Sequence, residues 1–222
     1  MKDFIKQKLT ENLVYEIIES YLEEDYPSNF DLEEFSKLNS FNKRIRYCEE
    51  RLKRISSGSS RIVYMIDNTK VLKIAKNKKG LAQNEVEIQW GGDSYFESIL
   101  AQTFSYDPND LWVEMELARK VTKKDFQRIT GCSIDDMGIF LKNFYDVNHG
   151  KRPMFSIDPQ LKEALDENEF VQQIQDFMTN IDAPSGDFAK LSSYGIVQRN
   201  GQDDIVLIDF GLDNDVYQSY YK

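Results

Sequence analysis

The chain has 222 residues, 41% hydrophobic and 13% aromatic, and carries 38 acidic against 28 basic side chains, a formal charge of −10. That much apolar material excludes a disordered chain and predicts one sizeable domain or two small lobes. The acidic excess repels phosphate backbones, which sets aside a general nucleic-acid binder while leaving room for a local cationic patch that holds a nucleotide. No apolar run reaches membrane-spanning length, so no membrane partner is expected. Met1-Lys2-Asp3-Phe4 carries charge where a secretion signal needs an apolar core, which predicts a non-secreted, cytoplasmic protein. The two cysteines, Cys48 and Cys132, make no disulfide framework, and the single His149 rules out multi-histidine zinc chemistry.

Residues 4–22 repeat apolar side chains at helical spacing, with Ile5, Leu9, Leu13 and Ile17 on one line and Val14, Ile18, Tyr21 and Leu22 widening it; Pro27 closes the segment. Two readings stand, a helix docked on its own body and a helix that binds a protein partner. Residues 31–54 are charged, with Leu32, Phe35, Leu38, Phe41, Ile45 and Leu52 spread through them, and read as one or two helices running into a strand near 52–56. Ser56-Ser57-Gly58-Ser59-Ser60 then separates two apolar runs. Such a loop can turn its backbone N–H groups onto an anion, or be an ordinary hairpin. Asp67-Asn68 supplies a turn.

Val71-Leu72-Lys73-Ile74-Ala75 is a strand with one lysine in its middle, which calls for a carboxylate or phosphate partner. Residues 81–88 look helical and offer Glu85 and Glu87. Leu111 to Leu117 reads as another strand, leaving through Ala118-Arg119-Lys120 into a helix. Thr122 with Asp125, and Ser133 with Asp136, have capping-box spacing, and Asp158-Pro159 is an N-cap followed by proline at the first helical position. That helical stretch runs to about Ile181 with a break near 166–168, and Pro184 stops it. Trp90 and Trp112 read as packing residues, and His149 as a partner for carbonyls at a helix end. Ser185-Gly186-Asp187 follows, then the strand Tyr194–Val197, and Asn200-Gly201 turns the chain into Ile205-Val206-Leu207-Ile208. That buried strand ends on Asp209, then Phe210-Gly211. An acid there needs a positive partner, and the glycine permits a sharp turn.

The ordered set of small-residue loop, strand lysine, helix glutamate, Gly-Asp loop and Asp-Phe-Gly resembles the protein-kinase-like fold, including its aminoglycoside and small-molecule phosphotransferase branch, over residues 52–213. The resemblance implies an α+β, two-lobed chain: an N-terminal helical extension over 1–50, a small antiparallel-sheet lobe over 51–120, and a mostly helical, truncated lobe over 121–222. It implies ATP and Mg²⁺ as cofactors and a hydroxyl of a protein or small molecule as acceptor. Ser56 to Val63 match the glycine-rich loop, with Gly58 kept, Ser59 and Ser60 beside it, and Ser56 and Arg61 in the outer glycine positions. Lys73 matches the lysine on the α/β-phosphates. Glu87, preferred over Glu85, matches its helix partner. The adenine linker falls near Glu114, Glu116 and Leu117. Asp187 matches the catalytic acid that orients or deprotonates the acceptor. Asp209 matches the metal ligand, and Ser192 stands where the family has a metal-binding Asn.

No Ala-Pro-Glu follows Asp-Phe-Gly, and 11 residues remain after Gly211, so the peptide-binding helices of a protein kinase are missing. Residues 1–50 are expected to supply the missing packing mass of the C-terminal lobe. Three functions follow: an ATP-dependent phosphotransferase, a pseudokinase working as a nucleotide-binding or structural module, and an acidic interaction protein without a nucleotide site.

Overall fold

The computed structural model describes residues 26–222, and the helix expected over 4–22 lies outside them. Two short helices come first, α1 (Leu32–Ser36) and α2 (Phe41–Arg51), capped by Asp31 and Ser40, whose side chains accept from the N–H groups of Glu34 and Lys43. An antiparallel sheet follows, built from β1 (Lys53–Ser57), β2 (Arg61–Met65), β3 (Lys70–Ala75), β4 (Thr103–Tyr106) and β5 (Trp112–Glu116) in the order β1-β2-β3-β5-β4. Helix α3 (Lys78–Trp90) connects β3 to β4.

The two faces of this sheet follow from period-two alternation. Ile62, Tyr64, Leu72, Ile74 and Trp112 point outward into a cluster with Phe30, Phe35, Tyr47 and Cys48. Phe30 lies 5.4 Å from Phe35 and 5.2 Å from Tyr47, and Phe35 lies 6.4 Å from Trp112, ring centre to ring centre. Residues 26–51 therefore cover the outer face of the first sheet instead of adding mass to the C-terminal lobe. The opposite face carries Val63, Val71, Lys73, Val113 and Met115 toward the cleft and main core. Strand β4 has no clear apolar signature: Thr103 and Ser105 are half-buried and Phe104 and Tyr106 exposed, as an edge strand allows.

The second lobe holds β6 (Arg119–Lys120), α4 (Lys123–Thr130), α5 (Ile134–Asn148), α6 (Pro159–Asp166), α7 (Glu169–Asn180), a 3₁₀ turn (Leu191–Ser193), β7 (Tyr194–Arg199), β8 (Gln202–Leu207) and α8 (Asn214–Tyr220). Arg119-Lys120, expected to lead into a helix, pair with Ile196 and Gly195 of β7, and the helix starts only after the Thr122 cap. The Asn200-Gly201 turn has φ of 52° and 79°, a left-handed pair suited to a two-residue hairpin. The break near 166–168 is real: Asn168 caps α7 by accepting from Val171 N at 3.0 Å. Cys48 and Cys132 are buried in separate cores and unpaired.

One side chain ties the lobes at their junction. Arg199 of β7 pairs with the Glu116 carboxylate at the end of β5 and donates to the Leu100 carbonyl at 2.9 Å and to the Glu97 carbonyl. Phe177 of α7 binds them in the core, meeting Trp90, Phe96, Phe188 and Phe210 at centroid distances of 5.9, 5.1, 6.1 and 5.8 Å. The strand order and the helical second lobe give the two-lobed α+β architecture expected from the sequence. Among the described residues no helix is long and apolar enough to cross a membrane.

Candidate active site

A cleft of about 1780 Å³ opens between the two sheets. At its back stands Glu87, fully buried on α3. Its Oε2 meets Lys73 Nζ at 2.9 Å and Arg61 Nη1 at 2.7 Å, and its Oε1 accepts from the Phe210 N–H at 3.3 Å. Glu85 is exposed, because two residues along a helix is about 200° around it. Lys73 also donates to the Ile208 carbonyl at 2.5 Å, and Arg61 Nη2 donates to Asp209 Oδ1 at 2.5 Å. Lys73 and Asp209 thus face one cleft, from β3 and from the end of β8.

Two buried cations share this carboxylate, and only Arg61 also touches a second acid, Asp209. Burial lowers the Lys73 pKa below 10.5 against the pull of Glu87, and Arg61 adds to the lowering. Arg61 is also penalised by burial, but Glu87 and Asp209 together hold it above its ordinary value. A depressed lysine means that folding disfavours the charged form. That cost is present in full below the folded pKa and is relieved as pH rises from there toward 10.5. In the ligand-free protein, melting temperature should therefore gain a rising component with pH in that window, and Lys73→Met should lack it.

The small-residue loop is pinned to the start of α3. Lys76 N donates to the Ser60 carbonyl at 2.8 Å, Lys76 Nζ to the Gly58 carbonyl at 2.8 Å, and Asn77 Nδ2 to the Ser59 carbonyl at 3.1 Å. Ser60 Oγ donates to Gln83 Oε1. A Cβ on Gly80 would sit 2.3 Å from the Ser60 carbonyl oxygen, so this approach needs glycine. At the other end, Gly211 has no positive φ; a Cβ there would lie 2.5 Å from the Gln83 carbonyl. Space, not a sharp turn, demands that glycine.

Asp187 lines the cleft and pairs with Lys190 Nζ at 2.6 Å, a neighbour one turn on that the sequence reading passed over. That hydrogen bond raises the Lys190 pKa, with burial opposing and Asp187 and Asp209 adding to the rise. Ser192 is exposed on the cleft wall. Met115, Glu116, Leu117 and Ala118 line the linker side, with Glu116 committed to Arg199. Glu114 does not line the cleft. It stands opposite Leu72, on the outer face, and accepts from Tyr26 Oη at 2.6 Å. Alternation explains this, since Met115 takes the inward position.

The donor set does not fit a divalent-metal pair. Asp209 already has one oxygen on Arg61, and a hydroxyl at Ser192 replaces the amide oxygen. Among the described residues no group of three or more His, Cys, Asp or Glu converges as metal ligands would. Instead the lining is cationic. Arg61, Lys73, Arg119, Lys120, Lys142, Lys151, Lys190 and Lys222 face it, against Glu116, Asp146, Asp187 and Asp209.

No protein-family model matches the chain, and no curated protein matches it. Solved structures similar to it include the streptomycin–ATP ternary complex of APH(2″)-IIa, 15% identical over 86% of this chain and 76% of that one, with a TM-score of 0.32. The ADP-bound aminoglycoside phosphotransferase APH(2″)-Ib is 15% identical over 79% and 72%, with a TM-score of 0.32. The SAICAR synthase of Saccharomyces cerevisiae, complexed with SAICAR, is 11% identical over 70% and 72%, with a TM-score of 0.35.

Proposed function

We propose that the chain binds ATP in this cleft and transfers its γ-phosphoryl group to a hydroxyl of a protein or small-molecule acceptor. The observation that carries this reading is the inversion of charge: a chain of net −10 has more lysine and arginine than aspartate and glutamate on the lining of its large cleft. Such a cleft attracts a polyanion. Its volume of about 1780 Å³ exceeds the roughly 300–1,000 Å³ of ordinary small-molecule sites, which leaves room for a nucleotide and an acceptor side by side.

Val63, Val71, Met115 and Leu117 offer an apolar slot for the base beside the linker backbone. Lys73, held by Glu87, reaches phosphate oxygens, and the Gly58–Ser60 loop covers them. In the transfer, the acceptor oxygen bonds to the γ-phosphorus as the bond from phosphorus to the β–γ bridging oxygen breaks. ADP leaves with that electron pair, and the hydroxyl proton passes to Asp187. Asp187 must first exchange Lys190 for the acceptor.

A second reading, a pseudokinase that binds nucleotide without transfer, is favoured by one observation: Asp187 and Asp209 are both tied to resident cations, Lys190 and Arg61. Thermal melting tests the nucleotide. ATP at a hundred times its Kd should stabilise the native protein by about 2.7 kcal/mol, or roughly 5–10 °C in melting temperature, and Lys73→Ala should lose most of that shift. A native protein indifferent to ATP would leave a purely structural pseudokinase or the third function, an interaction protein. ADP release on adding acceptors then separates transferase from pseudokinase.

A further inference from the structure

Arg61 occupies the outer glycine position of the loop, at the start of β2, and its side chain is nine-tenths buried. Its guanidinium spans the two acids that define the polyphosphate end of the cleft, at 2.7 Å from Glu87 and 2.5 Å from Asp209. Nη1 sits against Glu87 Oε2 in an ion pair at the back of the cleft. We propose that Arg61 is the resident counter-cation of the nucleotide site, standing in for a divalent metal on Asp209, so that ATP binds here without Mg²⁺. This rests on the nucleotide reading above and deepens it.

Three physical points support it. Magnesium demands near-octahedral oxygen ligands at about 2.0–2.1 Å. To reach Asp209 Oδ1 it would have to displace Nη2 from an ion pair that is buried on the arginine side and exposed on the aspartate side, and Ser192 offers only a hydroxyl in return. Arginine keeps its charge at any working pH and matches phosphate oxygens with a rigid fork of donors. The other cations are also in place. Lys73 shares Glu87 Oε2 with Arg61, Lys190 lies beside Asp187, and Lys76 Nζ lies against the Gly58 carbonyl. Together they place positive charge along a triphosphate that in a metal-dependent site would arrive as its magnesium complex.

Calorimetric titration of the full chain with ATP, once in EDTA and once in excess MgCl₂, tests this directly. The expected result is that the Kd in EDTA stays within about tenfold of that in Mg²⁺. Arg61→Ala should weaken binding in EDTA by about tenfold or more, the scale of a charge-assisted hydrogen bond, and Arg61→Gly with Ser192→Asn should acquire a requirement for Mg²⁺. Binding by the native chain that collapses more than about tenfold in EDTA overturns the proposal while leaving the nucleotide reading intact. So does an Arg61→Ala protein, folded by its melting curve, that binds in EDTA as the native chain does. Absence of ATP binding in both buffers removes the nucleotide reading itself, and the proposal with it.

Discussion

Glu87→Ala is expected to destabilise the protein by about 3–5 kcal/mol, the scale for removing one partner of a buried ion pair. At roughly 2–4 °C per kcal/mol for a chain of this size, the melting temperature should fall by roughly 6–20 °C. The reason is the asymmetry of the cluster. Glu87 is fully buried and its Oε2 faces both Lys73 and Arg61, while its Oε1 accepts from the Phe210 N–H. Removing it leaves buried Lys73 without a carboxylate in contact and Arg61 with Asp209 alone, and it strands one backbone donor. Lys73→Met is the contrasting variant. It removes the cation whose pKa burial already lowers and leaves Glu87 paired with Arg61, so its effect on stability should be much smaller. Equal losses in the two variants would show that Glu87 is not the centre of the cluster. Glu87→Gln should fall between them, keeping the shape and an acceptor oxygen but not the charge.

That cluster was only partly legible in the sequence. Lys73 stands out because a lysine inside an apolar strand must find an anion, and Asp209 because an acid at the tip of a buried strand must find a cation. Which cation Asp209 finds could not be read: Arg61 is 148 positions away and looks like a loop residue that has lost its glycine. The family pattern points to the fifth position after Asp187, Ser192, while the ion pair is made at the third, by Lys190. Glu114 was placed in the linker by its segment alone. Counting alternation from Lys73 through its register partner Val113 would have turned it outward. Helix α8 carried a readable signal, Asp213, which accepts from Val216 N at 2.7 Å, but seven residues after Asp-Phe-Gly give too little periodicity to be seen. The destination of residues 26–51 depends on which sheet face is left bare, and that becomes visible only once the strands are paired.

Phe177→Ala is expected to cost about 3–5 kcal/mol, as for other buried phenylalanines cut to alanine, and to weaken ATP binding from a distance. Phe177 has no exposure and contacts the rings of Trp90 at the end of α3, Phe96 in the α3–β4 connection, Phe188 one residue after Asp187, and Phe210 one residue after Asp209. Its ring is thus the common support for the segments that present both acids and for the helix that carries Glu87. The cavity left by alanine lets Phe188 and Phe210 relax inward, which moves the backbone on which Asp187 and Asp209 stand. Phe177→Leu keeps most of the volume, so it should recover most of the stability. It cannot restore the edge-to-face contacts, which aromatic pairs add at about 0.5–1.5 kcal/mol each beyond buried area. Denaturant midpoints at constant m-value give the stability term, and calorimetry with ATP, well below the melting temperature, gives the affinity. If Phe177→Ala loses stability but binds ATP as the native chain does, this aromatic cluster supports the fold alone and the two acids are positioned by other contacts.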